Sequence, residues 1–525
     1  MKFSVSEFGR ICRRVQRLGR DVGKLALFCA LCAAPLADAQ VSVVGQAGAR
    51  DRDFGALISG GQSGVYVFAA NTMTSASMVG TQSNGLSVVV GTCNANPSED
   101  MCVARLNRDG WQLDSTFGNN GLTQYVLTGQ DYPRTAVIDA ADRIIAAGIC
   151  NGTSLPACIV RFNANGTLDT TFGNSGRGGV SGMREIQKIR FDSDGRMVVA
   201  GECFQSAQSR PCVARLTAAG VLDSTFNAGA VLVLGFPNAS YQAASDLTFD
   251  ASGRILIAAY CNAQFNAVQY GRFCAIRVTS AGAIDSTFNG GVGRIYALQT
   301  ATVNCSSSAI SVQSSGKIIV AGVCDSGNGN VFAISRLNEN GDFDTSFGQD
   351  AYAGLSFQWI GSALFANFTR LYVDEQDRIL LGGYCQVGFC LARALPNGRA
   401  DALFARQGVA LYKPDVGFEI WQQSAEALHV VDRNRLYLAG SCGRSAIDRR
   451  ACVTRHFVDT PPGERCSLDL DGDGEINAAT DALLWARVHL GIRGAALTQN
   501  AVGARAQRTT PDAIMNHLGT HCSIR

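Results

Sequence analysis

One phrase returns along the 525-residue chain about every sixty residues, and a repeat of that period confines the fold to solenoids, propellers and arrays. Its first copy reads Arg105-Leu-Asn-Arg-Asp-Gly110-Trp-Gln-Leu-Asp114-Ser-Thr-Phe117-Gly118. It returns at Arg161 to Gly173, Arg215 to Asn227, Arg277 to Asn289, Arg336 to Gly348 and Arg393 to Ala405. In each of these copies a Gly follows the Arg by five residues, and an Asp-x-x-Phe comes shortly after. Arg455 opens a seventh copy that stops before its Asp-x-x-Phe. The missing piece stands near the other end of the chain, as Asp51-Arg-Asp-Phe54-Gly55.

A second phrase precedes each Arg: a turn, then an apolar run ending in Cys. Its copies are Gly85 to Cys93, Asp142 to Cys150, Gly195 to Cys203, Gly253 to Cys261, Gly316 to Cys324, Asp377 to Cys385 and Asn434 to Cys442. Runs such as Ile318-Ile319-Val320-Ala321-Gly322 are short, apolar and flanked by turns, which marks buried strands rather than helices. Each repeat then reads as strand a (Ala309 to Val312, for instance), a turn, strand b, a loop, strand c, the Asp-x-x-Phe corner and strand d. Four antiparallel strands per repeat make one propeller blade. The offset between the two phrases predicts an all-β fold, a closed seven-bladed ring. The segment after Asp51 supplies the last strand of the blade ending at Arg455, because an open ring would leave sheet edges exposed.

The pattern Gly-Lys/Arg-Ile-x-Val-Ala-Gly followed by Arg-Leu-Asn-x-x-Gly-x-Leu-Asp-x-x-Phe-Gly resembles the delta-60 repeat of bacterial secreted and surface proteins. The resemblance spans roughly residues 50–457. It implies export and a β-propeller of undefined function, and it carries no catalytic residues across.

The cysteines fit this blade. Six blades place one Cys at the end of strand b and another at the start of strand c. The pairs are Cys93–Cys102, Cys150–Cys158, Cys203–Cys212, Cys261–Cys274, Cys385–Cys390 and Cys442–Cys452, expected to face each other across the b–c hairpin. The fifth blade has Ala333 at the strand-c position but Cys305 before strand a, so Cys305–Cys324 is expected on the a–b hairpin. Irregular spacing, one pair per blade and only two propeller histidines speak for structural disulfides over a metal site. Each small loop closed contributes about 2–3 kcal/mol in the chain-entropy picture.

Residues 1–39 read as an export signal: a basic start, a short apolar run from Leu25 to Leu36, and Ala37-Asp38-Ala39 as cleavage site. The apolar run is too short to span a bilayer, and no later stretch reaches that length. Removing the seven basic and three acidic residues of this segment turns the formal +2 into −2, leaving no electrostatic case for nucleic acid. With 46% hydrophobic and only 17% charged residues, disorder is excluded. The organisation expected is a signal peptide at 1–39, a propeller at 40–458, a linker at 459–465 and a helical module at 466–525. The mature protein is expected to be secreted from a bacterium, to the periplasm, cell surface or medium, and to be monomeric.

The module opens with the strongest chemical motif in the chain, Asp469-Leu-Asp471-Gly-Asp473-Gly474-Glu475-Ile476-Asn477. Carboxylates at loop positions 1, 3 and 5 suit a hard cation, Gly474 makes the sharp turn, Glu475 offers its carbonyl and Asn477 sits at position 9. Position 12 is Thr480, so Asp481 is expected to close a loop one residue longer around Ca2+. Helices are expected from Ala482 to Leu490 and from Thr510 to Gly519. This resembles half of a dockerin type I module. Cys466 and Cys522 bracket it and account for the last two cysteines.

No nucleophile elbow or His-Glu-x-x-His motif is present, and the Asp of each Asp-x-x-Phe recurs seven times, as a turn residue does. A Ser-His-Asp site would have to use His429 or His456, and His456 directly follows the repeat Arg, where strand residues sit. Trp111, Trp359 and Trp421 break the repeat, which leaves both packing and sugar stacking open. The leading expectation is a non-catalytic propeller that binds an extracellular protein or glycan. The alternative is an extracellular polysaccharide-active enzyme, a glycoside hydrolase with a dockerin-like appendage. The absence of any non-repeated acidic pair in the sequence pattern favours the former.

Overall fold

The computed structural model describes residues 47–521 apart from 52–53, 56–63, 70–71, 96–97, 109, 111, 127–128, 151–155, 207, 237–238, 266–267, 297–303, 326–329, 349–354, 359–366, 386–387, 406–407, 413–423, 433, 446–447, 460–469, 472–478, 504–505 and 507. The expected signal segment, Cys466, Cys522, the three repeat-breaking tryptophans and most of the acidic loop lie outside the described residues.

Seven four-stranded antiparallel sheets follow one another in the described residues, six of them built from consecutive strands in the order a-b-c-d. Blade three is typical, with Glu185–Phe191, Met197–Gln205, Gln208–Leu216 and Leu232–Val233. Blade seven alone is assembled from both ends of the propeller. Its strands a, b and c are Ser424–Val430, Arg435–Ser445 and Asp448–Phe457, and its fourth strand is Val65–Val67. In that seam Val65 pairs with Thr454, Tyr66 with Val453 and Val67 with Cys452. The core between blades seven and one (Ala427, Tyr437 and Val453 against Val79, Val89 and Ala104) is one continuous apolar cluster, so the ring closes.

Strand a carries a β-bulge in every blade. In blade three the register steps from Ile186–Gly201 to Lys188–Ala200 and leaves Gln187 unpaired. The glycine of the Val-Ala-Gly phrase explains where it sits: a Cβ on Gly201 would lie 1.9 Å from the Glu185 carbonyl oxygen. The kink turns strand a and re-aims the residues beside it, a usual role of a bulge.

Neighbouring blades are joined by a latch made from the repeated phrase. In each of seven copies the Arg donates to the Asp at 2.7–2.9 Å, with Asp51 serving Arg455. The guanidinium also lies 4.5–5.1 Å over the Phe ring of the same corner. In five of the copies a second nitrogen reaches a turn carbonyl of the next blade, as Arg215 Nη1 does to Ser280 O at 2.6 Å. The Phe is buried beneath the turn glycine of that next blade. Gly220 has φ +83°, and a Cβ there would fall 2.4 Å from the Phe172 ring. Phe54 fills the same place under Gly110. Blade seven has no c–d turn, and two substitutes complete its latch with blade six. Gly48 packs on Phe404, while Arg393 takes Val458 O and Asp459. Asp459 also forms a two-bond fork with Arg378, at 2.8 and 2.7 Å. The first residue assigned to the linker thus belongs to the propeller's fastening.

All seven expected propeller disulfides are in place. Their geometry corrects one expectation. In six blades the partners are diagonal rather than face to face: Cys203 pairs with Arg210 and Cys212 with Gly201. The sheet twist brings one diagonal near, and the Cα atoms stand 5.8–6.3 Å apart. In blade five Cys305 and Cys324 are directly opposed, at 4.1 Å.

Beyond the propeller lie helices Asp481–His489 and Pro511–His521 and a single turn, Ala495–Thr498. Leu470, Leu484, Val488, Leu497, Ile514 and Leu518 form a small core of their own.

Candidate functional site in the central channel

The repeated charges are consumed by the latches, and their electrostatics show it. Asp223 is held at about 2 by the Thr225 hydroxyl and amide and by Arg215. Burial raises Asp344, but the Ser346 hydroxyl and amide, Lys317 and Arg336 outweigh it and bring it to about 2. Asp114, Asp169 and Asp285 shift down against burial in the same way.

Charges that break the repeat collect elsewhere. The seven a strands neighbour one another around the ring and wall its central channel. The residue just past each bulge is Met78, Thr135, Lys188, Asp246, Ala309, Arg370 or Ala427. Three of these seven are charged, and they meet. Asp246 Oδ1 accepts from the Leu247 amide at 2.9 Å and lies 3.3 Å from Lys188 Nζ and 3.7 Å from Arg190 Nη2. Its Oδ2 accepts from the Ile310 amide of blade five at 3.1 Å. Arg370 of blade six senses both Asp246 and Glu426, and its Nη2 donates across the channel to Arg134 O of blade two at 3.4 Å. Burial drives Lys188 down to about 7 even beside Asp246. Asp246 stays below its ordinary range: burial raises it, and Lys188, Arg190 and the Ile310 amide lower it further.

At one end of this cluster stand two carboxylates. Glu185 and Glu202 are direct cross-strand partners in blade three, and both are buried. Glu185 pairs with Arg134, and Glu202 with Arg184 at 3.0 Å and with the Ser209 hydroxyl. Burial and the neighbouring Glu185 raise Glu202, against the pull of Arg184. Exposed Tyr241 stands close enough to feel Glu202 and Arg184, and its ring packs on Tyr260 at 5.8 Å. This corrects the expectation that no non-repeated acidic pair exists. The two residues are 17 apart in sequence and meet only through the a–b register.

The histidines are wall and core residues. His429 Nε2 sits 3.2 Å from the Thr81 hydroxyl, and burial pushes it down to about 4. His456 is fully buried against Tyr412, ring centres 4.0 Å apart, with Nε2 bonded to Thr454. Of the expected calcium ligands, Asp471 and Asp481 are described, while Asp469, Asp473, Glu475 and Asn477 are not. Asp481 is buried and accepts the Leu470 and Asp471 amides at 2.6 and 3.3 Å; Asp471 accepts the Gly503 amide at 2.6 Å. Sequence reasoning missed the channel cluster. The signal was present in the a strands, where Lys188, Asp246 and Arg370 interrupt otherwise apolar or hydroxyl positions.

Residues 142–172, 193–226 and 313–347 match a family model described as a domain of unknown function, DUF5122, β-propeller. The matched stretches run from the a–b turn to the Asp-x-x-Phe corner of blades two, three and five, which supports a propeller repeat family. No curated protein matches the chain. Among solved structures, a protein of unknown function from Dyadobacter fermentans is 12% identical over 75% of this chain and 98% of its own, with a TM-score of 0.38. Polysaccharide lyase Uly1 is 11% identical over 79% and 98%, at 0.44. Domains 1-2 of Drosophila semaphorin 1a are 11% identical over 76% and 88%, at 0.42.

The latch carboxylates set the acid limit of the fold. A group whose pKa is lower folded than unfolded stabilises above the unfolded value, about 3.9 for Asp, and loses that contribution as pH falls toward the folded one. The melting temperature should therefore be flat near neutrality and drop steeply between about pH 4 and pH 2, as several equivalent Asp protonate together. A melting temperature unchanged down to about pH 2 would contradict the latch as the source of stability.

Proposed function

We propose that this protein is a secreted, disulfide-stapled, non-catalytic β-propeller that binds a protein or glycan through its central channel. One observation carries the reading: the repeated Arg and Asp are spent on joining blades, whereas Lys188, Arg190, Asp246 and Arg370 depart from the repeat and converge on the channel. Seven disulfides favour an oxidising compartment, and no helix among the described residues is long and apolar enough to cross a membrane.

The Glu185–Glu202 pair favours a second reading, acid–base chemistry on a polysaccharide, because a carboxyl raised by burial is the usual general acid. A glycan array and a hydrolase and lyase substrate panel on the secreted protein separate the two. Binding without turnover is expected. Turnover abolished in Glu202→Gln would establish the enzyme and overturn the scaffold.

The C-terminal module is proposed to bind one Ca2+ through Asp469, Asp471, Asp473, the Glu475 carbonyl and Asn477, with Asp481 closing the loop. The hydrogen bonds that the Leu470 and Asp471 amides donate to the Asp481 carboxylate support that closure. Affinity of about 10⁻⁵–10⁻³ M is expected, as in extracellular modules. Calorimetry on the whole chain should show one calcium site that Asp471→Ala removes. An absence of calcium heat, or a site indifferent to Asp471→Ala, would refute it.

A further inference from the structure

The a strands carry a short inventory of charge. Strand Met73–Thr81 of blade one and strand Cys305–Val312 of blade five have none. Strand Asp131–Ile138 brings Asp131 and Arg134, Glu185–Phe191 brings Glu185, Lys188 and Arg190, and Ala239–Phe249 brings Asp246. Asn367–Val373 brings Arg370, and Ser424–Val430 brings Glu426 and His429. Arg134 is matched by Glu185, and Asp131 lies in the surroundings of Tyr125. His429 is neutral above about pH 4. Below about pH 7, where Lys188 is protonated, the inner cluster sets three cations, Lys188, Arg190 and Arg370, against two carboxylates, Asp246 and Glu426.

Asp246 is also heavily shared. Two backbone amides and two cationic side chains converge on its oxygens, and Arg370 adds its field. The Lys188 side chain is only 14% exposed, whereas Arg190 keeps 38% of its surface open to solvent. A low-dielectric wall strengthens any charge pairing made there, and Arg presents forked donors that match a carboxylate.

Resting on the binding reading above, we propose that the channel takes the carboxylate of a uronic acid residue in a glycan, held by Lys188, Arg190 and Arg370. The incoming anion supplies the third negative charge. The mouth explains why the carrier is a sugar rather than an acidic peptide. Glu185 and Glu202, their charge balanced by Arg134 and Arg184, are acceptors suited to hydroxyls, which a uronate has in number and an acidic side chain lacks. Exposed Tyr241 and its partner Tyr260 offer an apolar ring face beside them.

The test is calorimetry on the intact disulfide-bonded protein at low ionic strength, with glucuronate, glucose, sulfate and triglutamate as probes. Glucuronate should bind more tightly than the other three. Arg190→Gln and Lys188→Gln should each weaken it roughly tenfold or more, the expectation for a lost hydrogen bond to a charged group, with the melting transition retained. Lys188→Arg, which keeps the charge, should recover part of the loss and guards against a folding defect in Lys188→Gln. Glucuronate no tighter than glucose, or affinity indifferent to both neutralising variants, overturns the site. Sulfate equal to glucuronate removes the sugar from the proposal, and triglutamate tighter than glucuronate replaces it with a peptide. If glucuronate fails while the array finds neutral glycans or proteins bound, this inference falls and the binding reading survives. If neither experiment finds a ligand, both fall.

Discussion

The buried Arg–Asp pair stacked on a Phe, repeated seven times around the ring, is the interaction on which the rest of the structure depends. A buried ion pair gives little net stability when compared with apolar residues of the same shape, but breaking one by removing a partner costs about 3–5 kcal/mol. Such a pair therefore works mainly as a specificity device here. The Arg is satisfied only when the next blade brings up its turn carbonyl, and the Phe is covered only by the next blade's glycine. A blade on its own would leave both unmet. Each blade thus requires the following one, and the last requires the first.

That arrangement frees the a strands from holding the ring together. Latches and, in all blades but the fifth, disulfides lie outside the a strands, so the inner wall can carry unrepeated charge at tolerable cost. Asp246 shows how the cost is contained: backbone amides from two blades and cations from blade three solvate a carboxylate that water hardly reaches. The bulge in strand a, set against a small residue of strand b (Gly201 in blade three, Ala259 in blade four), lets neighbouring strands present these side chains toward one centre. The same small-residue phrase that marks the repeat therefore also shapes the channel.

The ring, the blade order and the disulfide partners were legible in the sequence because each is a periodic feature, and periodicity needs no knowledge of three-dimensional neighbours. The Cys305–Cys324 swap was legible for the same reason, since equal distances from one turn place two residues opposite each other. What escaped was everything that depends on distance between non-equivalent residues. Glu185 and Glu202 look unrelated until the a–b register sets them side by side, and Arg370 meets the Arg134 carbonyl only because blades six and two face across the channel. The diagonal cysteine geometry was missed because it follows from twist, which a sequence pattern does not encode. Asp459 looked like linker because its partners, Arg378 and Arg393, lie some eighty and sixty-six residues earlier.

Native-state hydrogen exchange at the seam tests the closed, latched ring most directly. If Val65–Val67 is the outer strand of blade seven, its amides should exchange as slowly as those of the outer strands of other blades, Leu122–Tyr125 and Val409–Tyr412. In Asp51→Ala, where Arg455 loses its partner, that protection should fall at the seam first. Rapid exchange of Val65–Val67 in the unaltered protein, with the other outer strands protected, would show that the ring is open and contradict the account.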